Sequence, residues 1–187
     1  RASRPASRTG VDASGSAVVT WASNPNAAPA RLESARYDAT VGNFVGGLHT
    51  VANTPDGTMQ PSLAVNDEGD GALVWGSGTA SDIYVASYDG GSTTWTPGGS
   101  KMIDGPNAVL PSIAADNDGM FVAAWQEFSF ADGSILPHAI TTTFDGTGWS
   151  TPDDLGMDNG GAPTVFSSSN GDILATQYGI SNAGMGV

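Results

Sequence analysis

Segment 126–132 combines aromatic and polar side chains in a way that could bind a ligand. An aromatic ring packs on the apolar face of a sugar, while nearby carboxylates and amides hydrogen-bond to its hydroxyl groups. The segment follows Trp125 where the repeats described below differ from one another, and variable loops commonly carry function. We predict that it forms a loop that contacts a glycan or a peptide, through Gln126, Glu127, Phe128, Phe130 and Asp132. The alternative is that one phenylalanine packs onto a neighbouring part of the fold.

The five tryptophans fall into two groups. Trp21, Trp75 and Trp125 recur at one position of a repeat, which predicts a structural role between repeats. Trp95 and Trp149 follow turns in the second half of a repeat. These two are the further candidates for ligand binding, because an exposed indole ring can stack on a sugar.

Metal binding finds little support in the sequence. Segments 66–70 and 116–119 are acidic, but a calcium loop of the EF-hand type spreads its oxygen ligands over twelve residues. Both segments are better explained as hairpin turns. His49 and His138 lie in different repeats, and the chain has no cysteine. We predict no cofactor and no metal, with calcium left open as the alternative.

A catalytic centre is not predicted either. Glycosidases need two carboxylates at a set separation, and among 19 acidic residues some pair always qualifies by chance. The chain contains no Gly-x-Ser-x-Gly nucleophile elbow. The sequence therefore leans away from an enzyme without deciding the question.

Charge excludes some partners. Residues 1–36 carry five arginines against two acids, a net charge of +3, whereas residues 37–187 carry Lys101 against 17 acids, a net charge of −16. The total of −13 would repel phosphate backbones, so nucleic acid is not a predicted partner. No apolar run reaches the roughly 20 residues of a membrane span. Such acidity favours solubility in an extracellular medium.

A repeat of about 50 residues organises the chain. Gly15, Gly69, Gly119 and Gly171 are each followed six residues later by Trp21, Trp75, Trp125 and Gln177. Three residues before each glycine stands a small turn-forming residue: Asp12, Asn66, Asp116 or Ser168. This pattern predicts a β-hairpin whose glycine takes a positive φ.

The second half of each repeat predicts another hairpin. An aromatic-Asp pair ends a β-prone run at residues 37–38, 88–89 and 144–145, and a further aromatic residue follows the turn at Phe44, Trp95 and Trp149. Each repeat thus holds four short strands. Segments 72–75 and 120–125 are apolar at successive positions, which is typical of strands buried on both faces.

These features predict an all-β fold, a β-propeller built of four-stranded blades of about 50 residues. The chain forms one domain, 1–187, or part of one, with repeats at about 7–60, 61–110, 111–162 and 163–187. The last repeat is incomplete after two strands, so we expect further chain beyond Val187 or a second copy to complete the ring. The alternatives are a β-sandwich and a four-bladed ring with a degenerate last blade.

The chain resembles the repeat propellers of bacterial secreted and surface proteins, in the neighbourhood of sialidase-like and lectin propellers. The Pro-Ser-(Leu/Ile)-Ala starts at 61–64 and 111–114, the Asp/Asn-x-x-Gly turns and the tryptophan six residues later carry the resemblance. It differs from the sialidase Asp-box, in which tryptophan follows glycine more closely. Every arginine precedes residue 37, so the arginine cluster of sialidases has no counterpart in later repeats.

The resemblance implies a non-catalytic, extracellular or cell-surface module that binds carbohydrate as a lectin does. One alternative is a structural or protein-interaction propeller in a surface or filament assembly, with self-association. The other is a fragment of a glycoside-active propeller enzyme.

Overall fold

The computed structural model describes residues 7–23, 30–54, 58–77, 82–96, 100–103, 107–131, 134–156 and 160–179. These residues form fifteen β-strands and no helix, so the all-β prediction is confirmed. The described residues accordingly contain no helix that could span a membrane.

The strands form four antiparallel sheets that follow one another along the chain. Sheet 1 consists of β1 (Ser7–Val11), β2 (Ala17–Ser23), β3 (Ala30–Asp38) and β4 (Asn43–Thr54). Sheet 2 consists of β5 (Thr58–Val65), β6 (Gly71–Ser77), β7 (Ile83–Asp89), β8 (Thr94–Trp95) and β9 (Ser100–Ile103). Sheet 3 consists of β10 (Val109–Ala115), β11 (Phe121–Ala131), β12 (Ser134–Phe144) and β13 (Asp153–Asp154). Sheet 4 consists of β14 (Gly160–Ser167) and β15 (Ile173–Gly179).

Each sheet is a meander in which a strand pairs with the next strand of the chain. Sheet 2 departs from this only at its outer edge, where β8 and β9 pair with successive parts of β7. The first strands of the four sheets lie next to one another, since β5 contacts β1 and β10, and β10 contacts β14. The sheets are therefore arranged in series with their first strands together.

The predicted glycine hairpins are confirmed. Gly15, Gly69, Gly119 and Gly171 all have φ between +84° and +93°, the left-handed region that glycine adopts without strain. In the third turn the Asp116 Oδ1 accepts hydrogen bonds from the amides of Asp118 and Met120, at 2.9 and 2.7 Å. The side chain three residues before the glycine thus accepts hydrogen bonds from the backbone of the turn, as expected for a small polar residue at that position.

Neighbouring turns also hold one another. The Ala13 amide in the first turn donates to the Asp67 carbonyl in the second, at 3.2 Å. Within sheet 2 the Asp70 Oδ1 accepts from the amide of Gly90, which belongs to the turn between β7 and β8, at 2.8 Å. All these turns therefore lie at the same end of the sheets.

The residues at the repeated tryptophan position define one face of each sheet, named here the front face, and the opposite side is the back face. Side chains alternate along a strand, so each face takes every second residue. The front face of sheet 2, with Leu73 and Trp75, packs on the back face of sheet 1, with Ala22 and Leu32. The same front-on-back contact joins sheet 3 to sheet 2 and sheet 4 to sheet 3.

Burial follows from this order. Sheets 2 and 3 are covered on both faces, and the successive residues Ala72, Leu73, Val74 and Trp75 are all buried, as their unbroken apolar pattern predicted. β2 instead alternates between buried and half-buried residues, because only the back face of sheet 1 is covered by a described sheet. Trp75 and Trp125 are buried between sheets, whereas Trp21 is half-buried and donates from Nε1 to Glu33 at 3.1 Å.

The prediction of a loop after Trp125 is wrong. β11 runs on through Ala131, and residues 126–131 pair in register with residues 134–139 of β12. Aromatic and polar side chains alternate there with a period of two, which is a strand pattern. The two residues after Trp21, Ala22 and Ser23, and the two after Trp75, Gly76 and Ser77, are likewise strand residues.

Candidate functional site

The hairpin of β11 and β12 positions the candidate site. Ala131 pairs with Ser134, so two residues join the strands, and this register places Glu127 directly opposite His138. Glu127, Ser129 and His138 share the front face of sheet 3. β13 adds Asp154 beside them, because Asp154 pairs with Ile140. Three strands thus bring four polar side chains to one place, named here the hairpin cluster: Glu127, Ser129, His138 and Asp154.

His138 stands at the centre of the hairpin cluster. Its Nε2 lies 2.8 Å from the Ser129 Oγ, and its Nδ1 lies 3.1 Å from the Asp154 Oδ2. His138 is 22% exposed and Asp154 48% exposed, so the imidazole is largely enclosed while the carboxylate is reached by solvent. A proton on Nδ1 would face the carboxylate and leave Nε2 as an acceptor for the serine hydroxyl.

The cluster lines a cavity of about 250 Å³ together with Ile140. Its polar groups comprise two carboxylates, an imidazole and a hydroxyl, and Ile140 supplies an apolar wall. Several acceptors and donors that converge beside an apolar surface suit a ligand with many hydroxyl groups. Ser129, His138 and Asp154 also stand in the order of a Ser-His-carboxylate relay. Such a relay is recognised by geometry rather than by position in the chain.

The predicted ligand-binding residues of segment 126–132 are divided between two faces. Glu127 lies in the hairpin cluster, while Gln126, Phe128 and Phe130 are on the back face of sheet 3. Gln126 is buried, Phe128 is half-buried, and Phe130 is 66% exposed near the tip of the hairpin. Asp132 lies outside the described residues. Of the described members of this set, only Glu127 belongs to the hairpin cluster.

Trp95 lines a second cavity, a groove of about 450 Å³ between sheets 2 and 3 at the turn end. Phe121 and Phe144 form its wall on sheet 3, and Asp89 lies at its edge on sheet 2. The Trp95 indole is half-buried against the core and donates from Nε1 to the Ser34 Oγ of sheet 1 at 2.8 Å. Trp95 therefore ties sheet 2 to sheet 1 and also lines the groove.

Trp149 occupies the equivalent position in sheet 3. It forms an isolated bridge with Phe144, is half-buried against the core and lines a cavity of about 290 Å³. Asp145 in that cavity corresponds to Asp89 in the groove of sheet 2. The two tryptophan sites are thus related by the repeat, and neither adjoins the hairpin cluster.

The turn end of the sheets is rich in aspartate. Among the described residues, no group of three or more His, Asp or Glu side chains is arranged to hold a metal ion.

Neither a comparison with protein-family models nor one with curated protein sequences finds a match. Solved structures do match. A protein of unknown function from Dyadobacter fermentans superimposes with a TM-score of 0.58 at 12% identity, over 91% of this chain and 60% of that one. An endo-arabinase from Bacteroides thetaiotaomicron gives 0.51 at 16% identity, over 87% of this chain and 66% of that one.

The polysaccharide lyase Uly1 gives a TM-score of 0.50 at 10% identity, over 97% of this chain and 51% of that one. The chain thus spans between half and two thirds of the length of these three structures. At such low identity the likeness concerns the fold alone.

Sequence reasoning missed three members of the hairpin cluster: Ser129, His138 and Asp154. A signal for two of them was present. Asp132-Gly133 between two β-prone runs is a strong hairpin signal, and a two-residue loop there sets residue 127 opposite residue 138. Asp154 gave no such signal, because β13 is two residues long and follows a turn of irregular length.

Proposed function

We propose that the four sheets are blades of a β-propeller. The serial four-stranded meanders, their adjacent first strands and the repeated front-on-back packing support this architecture. A β-sandwich would instead pack two sheets on each other with strands that cross between them. The repeat of about 50 residues corresponds to one blade.

We further propose that the chain is a carbohydrate-binding module of an extracellular or cell-surface protein, and that the hairpin cluster is its binding site. The observation that carries this proposal is the convergence of Glu127, Ser129, His138 and Asp154 on one solvent-reached cavity. Two of the solved structures with a similar fold are an endo-arabinase and a polysaccharide lyase. The net charge of −13 favours neutral glycans over acidic ones.

A glycan array followed by titration of the best-bound oligosaccharide tests this function. Glu127→Gln and Asp154→Asn should each weaken binding about tenfold or more, since an unpaired hydrogen-bonding group at a binding site costs about 1–3 kcal/mol. Phe130→Ala is the matched control, because its ring lies on the opposite face of the same strand. A blank array, or equal binding by all variants, would count against the proposal. Loss of binding in the Phe130→Ala variant alone would indicate a binding site on the back face instead.

The relay distances favour a second candidate function at the same cluster, hydrolysis of an ester on a saccharide. Ser129 Oγ would attack the ester carbonyl while His138 Nε2 takes its proton, and the imidazolium would face Asp154. The proton then passes to the leaving alcohol, and water releases the acid from Ser129 by the same route. Acetylated oligosaccharides are the test substrates. Hydrolysis lost in Ser129→Ala would support this function, and none above the buffer rate would exclude it.

A further inference from the structure

The front face of sheet 1 is the exception to the packing order of the molecule. Each of the other front faces packs on the back face of the sheet before it, but no described sheet covers this one. Its residues line a largely apolar cavity of about 360 Å³, formed by Val19, Trp21, Ala35, Phe44, Gly47 and Leu48. Phe44 is 60% and Leu48 71% exposed. Such a cluster of exposed apolar side chains marks an interaction surface.

Sheet 4 exposes the complementary surface. Its front face, with Val165, Ile173 and Ala175, packs on sheet 3, whereas its back face exposes Phe166 and Leu174. In each pair of packed sheets in this molecule, a front face contacts a back face. One chain therefore carries both halves of a contact that it already makes three times internally.

A repeated hydrogen bond sets the register of such a contact. Ser62 Oγ accepts from the Ile113 amide of the next sheet at 3.4 Å, and Ser112 Oγ accepts from the Val165 amide at 3.1 Å. The residue of sheet 4 at this serine position is Thr164, which is exposed and has a hydroxyl acceptor. The Thr164 hydroxyl could therefore accept a hydrogen bond from a backbone amide of a further sheet that packs on sheet 4.

We propose that two copies of this chain associate head to tail, with the front face of sheet 1 of each copy on the back face of sheet 4 of the other. The proposal rests on the propeller architecture proposed above. A heterologous contact of this kind closes into a ring when the rotation per subunit allows it. Two copies would place eight sheets around one axis, within the range of known propellers.

Sedimentation velocity over a wide range of protein concentrations tests the association. We expect a species of twice the 18.9 kDa chain mass that dissociates on dilution. Leu48→Asp should raise the dissociation constant at least tenfold. Val41→Asp, at an equally exposed turn residue outside the cavity, should leave it unchanged. A wild-type monomer at every concentration, or a Leu48→Asp dimer as stable as the wild type, would overturn the proposal.

Cross-linking tests the head-to-tail geometry. The chain has no cysteine, so Leu48→Cys and Leu174→Cys variants each carry a single thiol. A flexible bismaleimide should join the two variants when they are mixed, and should join neither variant to itself. Cross-links within one variant alone, or no cross-link in the mixture, would contradict the arrangement. A chain with both substitutions that cross-links only within itself would show that sheet 4 covers sheet 1 of the same molecule.

Discussion

At the scale of single residues, three equivalent aspartates hold the turns between the third and fourth strands. Asp38, Asp89 and Asp145 each accept hydrogen bonds from backbone amides and a hydroxyl two or three residues ahead. In Asp145 the donors are the hydroxyl and amide of Thr147 and the amide of Gly148, at 2.6, 2.9 and 3.1 Å. These hydrogen bonds favour the charged carboxylate.

The carboxylate of Asp145 should therefore make stability depend on pH at the acid end. The Thr147 and Gly148 hydrogen bonds lower its pKa to about 2, and similar bonds lower the pKa of Asp38 and Asp89. A lowered pKa gives stability that is present above the unfolded value of about 3.9 and lost as pH falls through the folded value. We expect the thermal midpoint to fall between about pH 4 and pH 2.

Asp145→Asn isolates that contribution. Its thermal midpoint at neutral pH should lie below that of the wild type, and the difference should shrink as pH falls from about 4 to about 2. Thr40→Val would test the equivalent turn of sheet 1, where Thr40 donates to Asp38 at 2.6 Å. A difference that stays constant down to pH 2 would show that the charge of Asp145 is not what stabilises the turn.

At the scale of the elements, the two hairpin turns of a sheet pack so closely that a side chain cannot enter. A Cβ on Gly90 would lie 2.6 Å from the backbone carbonyl of Gly69. Gly90→Ala should lower the free energy of unfolding by about 1–3 kcal/mol, the usual cost of overpacking. Gly148→Ala is the matched control in the turn of sheet 3, where nothing lies within 4 Å. Equal denaturation midpoints for the two variants would contradict this packing.

The hairpins themselves were predictable from sequence because their determinants are local. The residue pair Asp116 and Gly119 specifies a turn through one side chain and one positive φ, and four repeats reinforced that interpretation. The loop prediction for segment 126–132 failed because it relied on the polar composition of the segment. The alternation of side chains with a period of two indicates a strand. The hairpin cluster depends on β13, whose pairing is not local, so residue 154 could not be placed beforehand.

At the scale of the whole molecule, packing between sheets provides the core. Trp125 is fully buried against Ile83 of sheet 2, and Phe130, five residues along the same strand, is mostly exposed. Trp125→Ala should cost about 3–5 kcal/mol, as large-to-small core substitutions do. Phe130→Ala should cost far less. Chemical denaturation measures both, and a small loss for Trp125→Ala would mean that the sheets do not pack on one another as described.

The sequence also predicted which strands are covered on both faces. Apolar residues on both faces of segments 72–75 and 120–125 predicted strands covered on both sides, and burial of Val74 and Trp75 agrees. The sequence did not predict that the front face of a sheet packs on the back face of the sheet before it. The tryptophan position identifies one face of a sheet but not the sheet that covers it. That pairing required the contacts between sheets.

The central claim, that the hairpin cluster binds carbohydrate, is tested most directly by the ring signals of the two histidines. His138 lies in the cluster and His49 lies in β4, so one chain contains both a reporter and an internal control. Addition of the best-bound oligosaccharide should shift the imidazole resonances of His138 in a saturable manner and leave those of His49 in place. Unchanged His138 signals at a concentration that saturates binding would place the ligand elsewhere and contradict the account.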